Sequence, residues 1–503
     1  MRSRGLLIAA ACLLSAASHA VAADQTAVAG YQAAYRTATD AYRGRLSELA
    51  AWCREHQLGA EADLLAAWLP PADSPKQHFY LLPIDGNPTS PTAESDAPAD
   101  AQAVDRGEFR KRFSELRTAR AEELFELARE AAGGSQFSSA VRWGYETLRE
   151  DPDHAAARKL LGYRNATGAW RTTFEEAKHR AGRQWHARFG WIEAEHAARY
   201  ESGERYLNGR WVSAADDAKI HATIERGWEV QTEHFRIRTN HSLEEGARLA
   251  ARLEQMQQVW RQMFARYHTP EAEWRRRFAG GELRSIPAKP LAVVYYRSRD
   301  EYVSKLKRRE PRIEQTAGIY MVDDETAYFY FDSMKRDDAF LFHEVTHQLF
   351  SAERTTLRVG AKANFWIVEG IACQFESLRL PGDGDLPSVD RAELGGYDNP
   401  RITAARVRLL DDNFYVPLVE LTAMSMQVMQ KDARLPTLYS QASGQADFLM
   451  HGEQGRYREA TVDYLTAVYS GRDTPATLAE RTGVAYDELD RQYRAYIESL
   501  PKR

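Results

Sequence analysis

Cysteine is scarce in this chain: three cysteines, Cys12, Cys53 and Cys373, occur among 503 residues. Cys12 lies in an N-terminal segment that we predict to be removed, which leaves two. Two cysteines can form at most one disulfide, so a fold held together by a disulfide framework is excluded. The fold must depend on buried apolar side chains, and a chain of this length with 44% hydrophobic residues can bury a sizeable core.

Long apolar runs are also missing, apart from one at the start of the chain. There, Arg2 and Arg4 precede an apolar run from Leu6 to Leu14, and the small residues Ala20 to Ala22 follow. This order is typical of a cleaved secretory signal peptide, which is too short to span a bilayer as a mature helix. We therefore predict a signal peptide at residues 1–23, an exported mature protein and no membrane span.

Neither sign of charge dominates the composition. The chain has 67 basic and 72 acidic residues, a formal net charge of −5. Removal of the signal peptide takes away Arg2 and Arg4 and makes the balance slightly more acidic. Such a chain has no basic excess that would favour nucleic acid or an anionic membrane surface as a partner.

The first part of the mature chain has helical periodicity. Ala, Leu and Tyr recur at spacings of three and four in residues 24–84, which predicts an N-terminal helical region. Residues 85–106 are rich in Pro, Ser, Ala and acidic residues, and this composition predicts a flexible linker. The helical pattern of residues 107–164 resembles tetratricopeptide-type repeats, so these N-terminal helices are a candidate surface for a protein partner.

The pattern changes twice more along the chain. Residues 165–230 are rich in Trp and Gly, and we predict a connector with one short hairpin at Asn208-Gly209. Strand candidates followed by helices over residues 231–382 predict an α+β domain with a small mixed sheet. Residues 383–503 predict a helical C-terminal subdomain.

The segment DDAFLFHEVTHQLFSAE, which starts at Asp337, carries the main chemical signal. His343 and His347 are one helical turn apart, so they project to one side and can share a metal ion. Glu344 is offset from that line and can reach a water held by the metal, which is the physical basis of the HExxH pattern. Asp337 or Asp338 can cap this helix. The alternative is a buried helix with two hydrogen-bonded histidines.

A catalytic zinc ion usually has three protein ligands, and NFWIVEGIACQFESL offers candidates for the third. Glu369 lies among apolar residues, and a buried carboxylate needs a partner, which a metal ion or a salt bridge would supply. Cys373 and Glu376 are rivals on nearly the same helix face. We expect Glu376 to hydrogen-bond a ligand histidine from behind rather than to bind the metal itself.

The segments HEVTH and WIVEGIA resemble the two motifs of the gluzincin metallopeptidases. The resemblance implies that His343, His347 and Glu369 bind zinc and that Glu344 is the general base. It also places Glu376 at an acidic position that recurs behind the ligands in that clan.

The wider pattern from residue 233 onward resembles the peptidase-MA-like domains of secreted bacterial proteins. This resemblance implies a zincin-like fold for residues 231–382 and a periplasmic or extracellular location. It also implies that the segment Ala327–Phe331 is the edge strand on which an extended peptide is laid out. Val368 stands where the aminopeptidase branch has Asn, and the Gly-Ala-Met-Glu-Asn exopeptidase motif is missing. An endopeptidase is therefore favoured over an aminopeptidase.

The segment LPTLYSQASGQADFLMHG resembles the helix start that carries a transition-state tyrosine in the same clan. The resemblance places Tyr439 at that position, where its phenol could donate a hydrogen bond to a developing oxyanion. A tyrosine that only packs is the alternative. His451 and Tyr415 are the other candidate donors.

Taken together, these features predict an exported metallopeptidase that uses Zn²⁺ and Glu344 to hydrolyse peptide or protein substrates. Two alternatives stay open. One is an exported helical scaffold whose zinc site is not catalytic, and the other is a zinc hydrolase that acts on a non-peptide substrate.

Overall fold

The chain folds as a mixed α+β protein, as the sequence predicts. The structure is a computed structural model. At residues 3–27, 78 and 388–390 it describes the backbone only, and at all other described residues it describes the side chains as well. Within the described residues there are 21 α-helices and 13 strands. The described residues are 3–68, 78–86, 103–165, 168–281, 283, 289–332, 338–353, 358–380, 388–390 and 400–500.

The N-terminal region consists of helices that pack side by side. Helix α3 packs against both α1 and α4, and α1 continues past the predicted cleavage point without a break. The elements are α1 (Ser3–Glu55), α2 (Gly59–Trp68), β1 (His78–Tyr80), α3 (Ala103–Gly133), α4 (Phe137–Glu150) and α5 (Ala155–Leu160).

The predicted linker, residues 85–106, is fixed at both of its described ends. Asp85 accepts hydrogen bonds from the backbone of Trp185 at 3.1 Å and contacts His179 at 2.5 Å. At the other end, α3 begins at Ala103, inside the predicted linker. Residues 87–102 lie outside the described part of the chain.

The connector contains three hairpin-like strand pairs, each followed by a short helix, so the prediction of one hairpin was wrong in number. The pairs are β2 with β3, β4 with β5, and β6 with β7. The hairpin predicted at Asn208-Gly209 is confirmed, with positive φ at both residues. The elements are β2 (Arg164–Asn165), β3 (Trp170–Arg171), α6 (Thr173–Arg180), β4 (Arg183–His186), β5 (Gly190–Glu193), α7 (Ala197–Glu201), β6 (Glu204–Leu207), β7 (Arg210–Ser213) and α8 (Ala214–Ile220).

A tryptophan follows each helix of the connector and packs against it. Trp191 contacts Phe174 of α6, and Trp211 contacts Tyr200 of α7. In the same way, the indole of Trp228 donates a hydrogen bond of 2.7 Å to Asp217 of α8. The connector is therefore a short tandem repeat with a period of about twenty residues, which leads directly into the central sheet.

The central sheet has five strands in the order β11-β12-β10-β9-β8. Strands β9, β10 and β12 run parallel, and the two outer strands are antiparallel to their neighbours, which confirms the predicted mixed sheet. The sheet begins at Trp228, slightly before the predicted boundary. The elements are β8 (Trp228–Gln231), β9 (Phe235–Thr239), α9 (Leu243–Met263), α10 (Ala265–His268), α11 (Glu271–Phe278), β10 (Leu291–Tyr296), α12 (Arg299–Leu306), β11 (Gly318–Met321) and β12 (Thr326–Tyr330).

The prediction that the segment Ala327–Phe331 is the edge strand is wrong. This segment forms β12, which lies between β10 and β11, and β11 is the outer strand. The reason is burial on both faces: Phe329 packs into the core beside α9, whereas Tyr328 packs on the opposite face beside α12. A strand covered on both faces is a continuous apolar run, and such a run is typical of an interior strand.

The rest of the chain is mostly helical and shares one core with the sheet. That core joins the sheet, α9, α13, α14 and α18, so residues 231–382 and 383–503 are not packed as independent units. Strand β13 pairs with β1, which adds a strand to both predicted helical regions. The elements are α13 (Ala339–Ala352), α14 (Phe365–Phe375), β13 (Ser388–Asp390), α15 (Pro400–Leu410), α16 (Leu418–Leu421), α17 (Met426–Lys431), α18 (Leu435–His451), α19 (Arg458–Tyr469), α20 (Thr477–Thr482) and α21 (Tyr486–Ser499).

In the part of the chain with described side chains, no helix combines the length and the apolar character needed to cross a membrane.

Candidate metal centre

Helix α13 carries the HEVTH segment across one face of the sheet. Val345 and Phe350 are fully buried, and the amide of Gln348 donates hydrogen bonds of 2.9 Å to carbonyls of the β10 and β12 segments. The predicted cap is not formed by Asp338, because its carboxylate instead pairs with Arg248 and Arg252 of α9. The other predicted cap, Asp337, lies outside the described residues. Burial and these contacts fix the rotation of α13 about its axis.

Three nitrogen and oxygen atoms converge beside α13. His343 Nε2 lies 3.3 Å from His347 Nε2 and 3.4 Å from Glu369 Oε2. His347 Nε2 lies 3.8 Å from the same Glu369 oxygen. Ligands about 2.1 Å from a tetrahedral zinc ion are roughly 3.4 Å apart, so these separations suit that ion. Two imidazoles and a carboxylate are also ligands that zinc accepts, so the residues present fit the metal predicted from the sequence.

The position of Glu369 is set by how α14 begins. Asn364 precedes the helix with a positive φ of 57° and donates hydrogen bonds of 2.8 Å to Asp473 and to the carbonyl of Thr474. Its side-chain oxygen accepts a hydrogen bond of 2.7 Å from Tyr464. These bonds fix the start of α14, and the helix then places Glu369, which is 8% exposed, opposite the two histidines.

The glycine that follows Glu369 is required by close packing. A Cβ atom at Gly370 would lie 2.6 Å from the carbonyl oxygen of Ala442 on α18. Helices α14 and α18 therefore approach each other closely at this point. The absence of a side chain at Gly370 sets the distance between the helix that carries Glu369 and the helix that carries Tyr439.

A second carboxylate holds the first histidine from behind, as predicted for Glu376. Its Oε1 lies 2.9 Å from His343 Nδ1, which leaves Nε2 to face His347 and Glu369. Arg401 of α15 donates to both carboxylate oxygens of Glu376, at 2.9 and 3.1 Å. Such outer contacts fix the orientation and the tautomer of a ligand histidine. The sequence pattern did not reveal Arg401, because it lies on a helix remote in sequence from both motifs.

Burial and neighbouring charges shift the protonation of the central groups. Burial raises the pKa of Glu344 to about 7, and one of its oxygens accepts a hydrogen bond of 2.9 Å from the backbone of Tyr320. Burial lowers the pKa of His347 to about 4, which favours the neutral imidazole that a metal ligand requires. Burial alone would raise the pKa of Glu369. The neighbouring His347 and His343 lower it by more, so the net pKa of Glu369 is lowered.

Cys373 is close to this group but is the weaker candidate ligand. Its side chain is fully buried, and together with His343 and Glu376 it forms a second cluster whose ligand atoms lie within 4.8 Å of one another. That cluster requires Glu376, whose carboxylate is already neutralised by Arg401. The set with His347 and Glu369 is therefore the better candidate.

Tyr439 lies near the centre, as the resemblance implies. Burial raises the pKa of its phenol, and the negative charge of Glu369 raises it further. The guanidinium of Arg401 lies 5.9 Å from its ring centre. Of the alternative donors, Tyr415 instead donates to Asp490, and His451 lies about 18 Å further along α18.

Comparison with known proteins adds nothing to this geometry: no protein-family model, no curated protein and no solved structure matches the chain.

Proposed function

We propose that this protein is an exported zinc-dependent metallopeptidase of the gluzincin type. The observation that carries the proposal is the convergence of His343 Nε2, His347 Nε2 and Glu369 Oε2, with separations of 3.3 to 3.8 Å. The predicted signal peptide and the resemblance of the two motifs to secreted peptidases support the same conclusion.

In this proposal His343, His347 and Glu369 hold the zinc ion. When bound, zinc supplies a water of lowered pKa and polarises the carbonyl to be attacked. Glu344 would accept a proton from water at the centre and return it to the leaving amine, a role for which a carboxylate with a raised pKa is suited. Tyr439, which packs against the same core, would donate a hydrogen bond to the developing oxyanion.

The outer strand β11 is the surface where we propose that a peptide substrate pairs. The amide of Tyr320 points away from β12, because it donates to Glu344. Since alternate residues of a strand share an orientation, Gly318 presents its amide and carbonyl on the same outer side. A peptide that adds to this edge would lie beside Glu344, and recognition through the backbone tolerates many sequences.

The test is the metal content and peptidase activity of Glu344→Gln. We expect this variant to bind one zinc ion per chain, as the wild type does, because Glu344 is not a ligand. Its turnover of a broad peptide library should fall by about 100- to 10,000-fold, because the proton acceptor is lost. His343→Ala should lose both zinc and activity.

A matched control is His186→Ala in the connector, which should keep both zinc and activity. A Glu344→Gln protein with wild-type turnover would contradict the proposal. Zinc-loaded wild type that cleaves no peptide, with no effect of chelation, would favour the non-catalytic scaffold. Hydrolysis of ester or amide substrates but not of peptides would favour the non-peptide hydrolase.

A further inference from the structure

A cavity lies where three parts of the chain meet, and no residue of α13 lines it. Its volume is about 100 Å³. Tyr145 and Tyr163 of the helical region, Glu175 and Trp191 of the connector, and Glu233 and Arg261 of the α+β region line it. The walls of the cavity therefore form only when all three regions are packed together.

Polar groups without partners line this cavity. The Oε1 atom of Gln257 and the indole N–H of Trp191 are buried and have no hydrogen-bond partner among the described residues. The hydroxyls of Tyr145 and Tyr163 likewise form no hydrogen bond within the described chain. Buried polar groups are ordinarily satisfied, so this set requires water or a ligand.

Two opposite charges also face the cavity without pairing. Neither Glu233 nor Arg261 forms an ion pair with a described residue, and Arg261 makes only a 3.4 Å contact with His234 Nε2. The other charges at the wall are satisfied internally: Glu254 pairs with His234 at 2.8 Å, and Glu175 accepts two backbone N–H groups. The side chain of Tyr145 lies within electrostatic range of both Arg261 and Glu233.

We propose that this cavity binds a small zwitterion of the α-amino acid class, with its carboxylate at Arg261 and its ammonium at Glu233. The hydroxyls of Tyr145 and Tyr163 and the Oε1 of Gln257 complete its hydrogen bonds. A cavity of 150 Å³ holds a six-carbon ring, so about 100 Å³ limits the ligand to the size of glycine or alanine. Because the wall comes from three regions, the ligand fastens the helical region and the connector to the sheet.

The test is thermal unfolding and calorimetric titration of the full chain with glycine and L-alanine. The protein is the His343→Ala variant in chelator, so that an amino acid cannot bind as a product at the metal centre and failure of the proposed peptidase function does not affect the result. We expect saturable stabilisation by either amino acid. An equimolar mixture of acetate and methylammonium, which carries the same charges on separate molecules, should bind at least tenfold more weakly.

In the same background, Arg261→Gln and Glu233→Gln should each weaken glycine binding by tenfold or more. The exposed residues Arg308 and Glu420 provide the matched controls Arg308→Gln and Glu420→Gln, which should leave binding unchanged. If a cavity variant does not fold, the comparison of glycine with the ion mixture still decides the matter. Equal effects of glycine and the mixture would overturn the proposal, and so would the absence of any stabilisation by glycine, which would leave the cavity as a site for water only.

Discussion

Two side chains in series hold the first histidine of the proposed centre. Arg401 binds both oxygens of Glu376, and Glu376 in turn binds His343 Nδ1. Without the guanidinium, the partly buried Glu376 carboxylate would be free to rotate or to take a proton. Either change would loosen the orientation of the imidazole.

We therefore expect Arg401→Gln to lower zinc affinity by about 10- to 100-fold, the usual effect of losing such an outer contact. Competition with a chromophoric chelator measures this affinity directly. Arg494→Gln, at an exposed arginine of α21, is the control and should bind zinc as the wild type does. Unchanged affinity in Arg401→Gln would show that Glu376 does not need this partner.

Glu175 gives the protein a pH dependence that is separate from the metal centre. Burial raises the pKa of Glu175 from 4.5 to about 7, although two backbone N–H groups bind its carboxylate. A raised folded-state pKa contributes stability that is fully present below pH 4.5 and is lost as the pH rises through about 7. The free energy of unfolding should therefore fall by about 1 to 3 kcal/mol over this range on account of Glu175.

The Glu175→Gln variant should lack this fall, since its side chain does not titrate. Its stability is also reduced at every pH, because an amide can accept only one of the two backbone hydrogen bonds. The decisive quantity is thus the difference in urea-unfolding free energy between pH 5 and pH 8, compared with wild type. An identical difference in both proteins would mean that Glu175 titrates normally.

At the scale of elements, the contact between α14 and α18 determines whether the proposed metal ligands meet. A methyl group at Gly370 would collide with the backbone of Ala442, which cannot move aside as a side chain can. Gly370→Ala should therefore push α14 away from α18, with a loss of about 1 to 3 kcal/mol in stability. Because Glu369 is the adjacent residue, zinc affinity should fall as well.

Denaturant unfolding without zinc and zinc titration measure these two effects separately. Gly133→Ala, at the end of α3 where an added methyl meets nothing within 4 Å, is the control and should preserve both quantities. A Gly370→Ala protein with normal zinc affinity would show that α14 can shift without moving Glu369.

The sequence predicts local features of the site because they depend on helical spacing. The histidines four residues apart and the buried Glu369 are brought together as their spacing and burial pattern indicate. Caps are local too, but only partly predictable. Ser242 caps α9, whereas the Glu245 carboxylate, which stands at the right spacing for a capping box, completes none and pairs with Arg248 instead. An arginine one turn further along the same helix thus takes the carboxylate that a capping box would use.

Features that depend on the order of distant elements could not be predicted in the same way. The apolar run of β12 favours an interior strand, but it does not show which strand lies outside it, and that strand is β11. The role of Arg401 depends on the packing of α15. The connector is different, because the regular spacing of Trp170, Trp191 and Trp211 was visible in the sequence and indicates a repeat.

At the scale of the whole molecule, zinc should stabilise only one of the separate cores. The ligand helices α13 and α14 belong to the core that includes the sheet and α18. Helices α1 and α2 pack in a different cluster with the first half of α3. Since zinc binds the folded state, saturation to 100 times its dissociation constant adds about 2.7 kcal/mol to that state. This energy opposes only those unfolding events that separate the proposed zinc ligands. Local unfolding elsewhere in the chain is not affected.

Hydrogen exchange with and without zinc can therefore locate the centre. We expect exchange in α13, α14 and α18 to slow by up to about 100-fold on zinc addition, the equivalent of 2.7 kcal/mol. Exchange in α2 and the described part of α1 should change little. The His343→Ala protein should show no zinc effect in any helix. If zinc slowed exchange equally in α2 and α14, the metal would have to bind elsewhere. A metal ion at α13 does not contact the N-terminal cluster and cannot directly protect it.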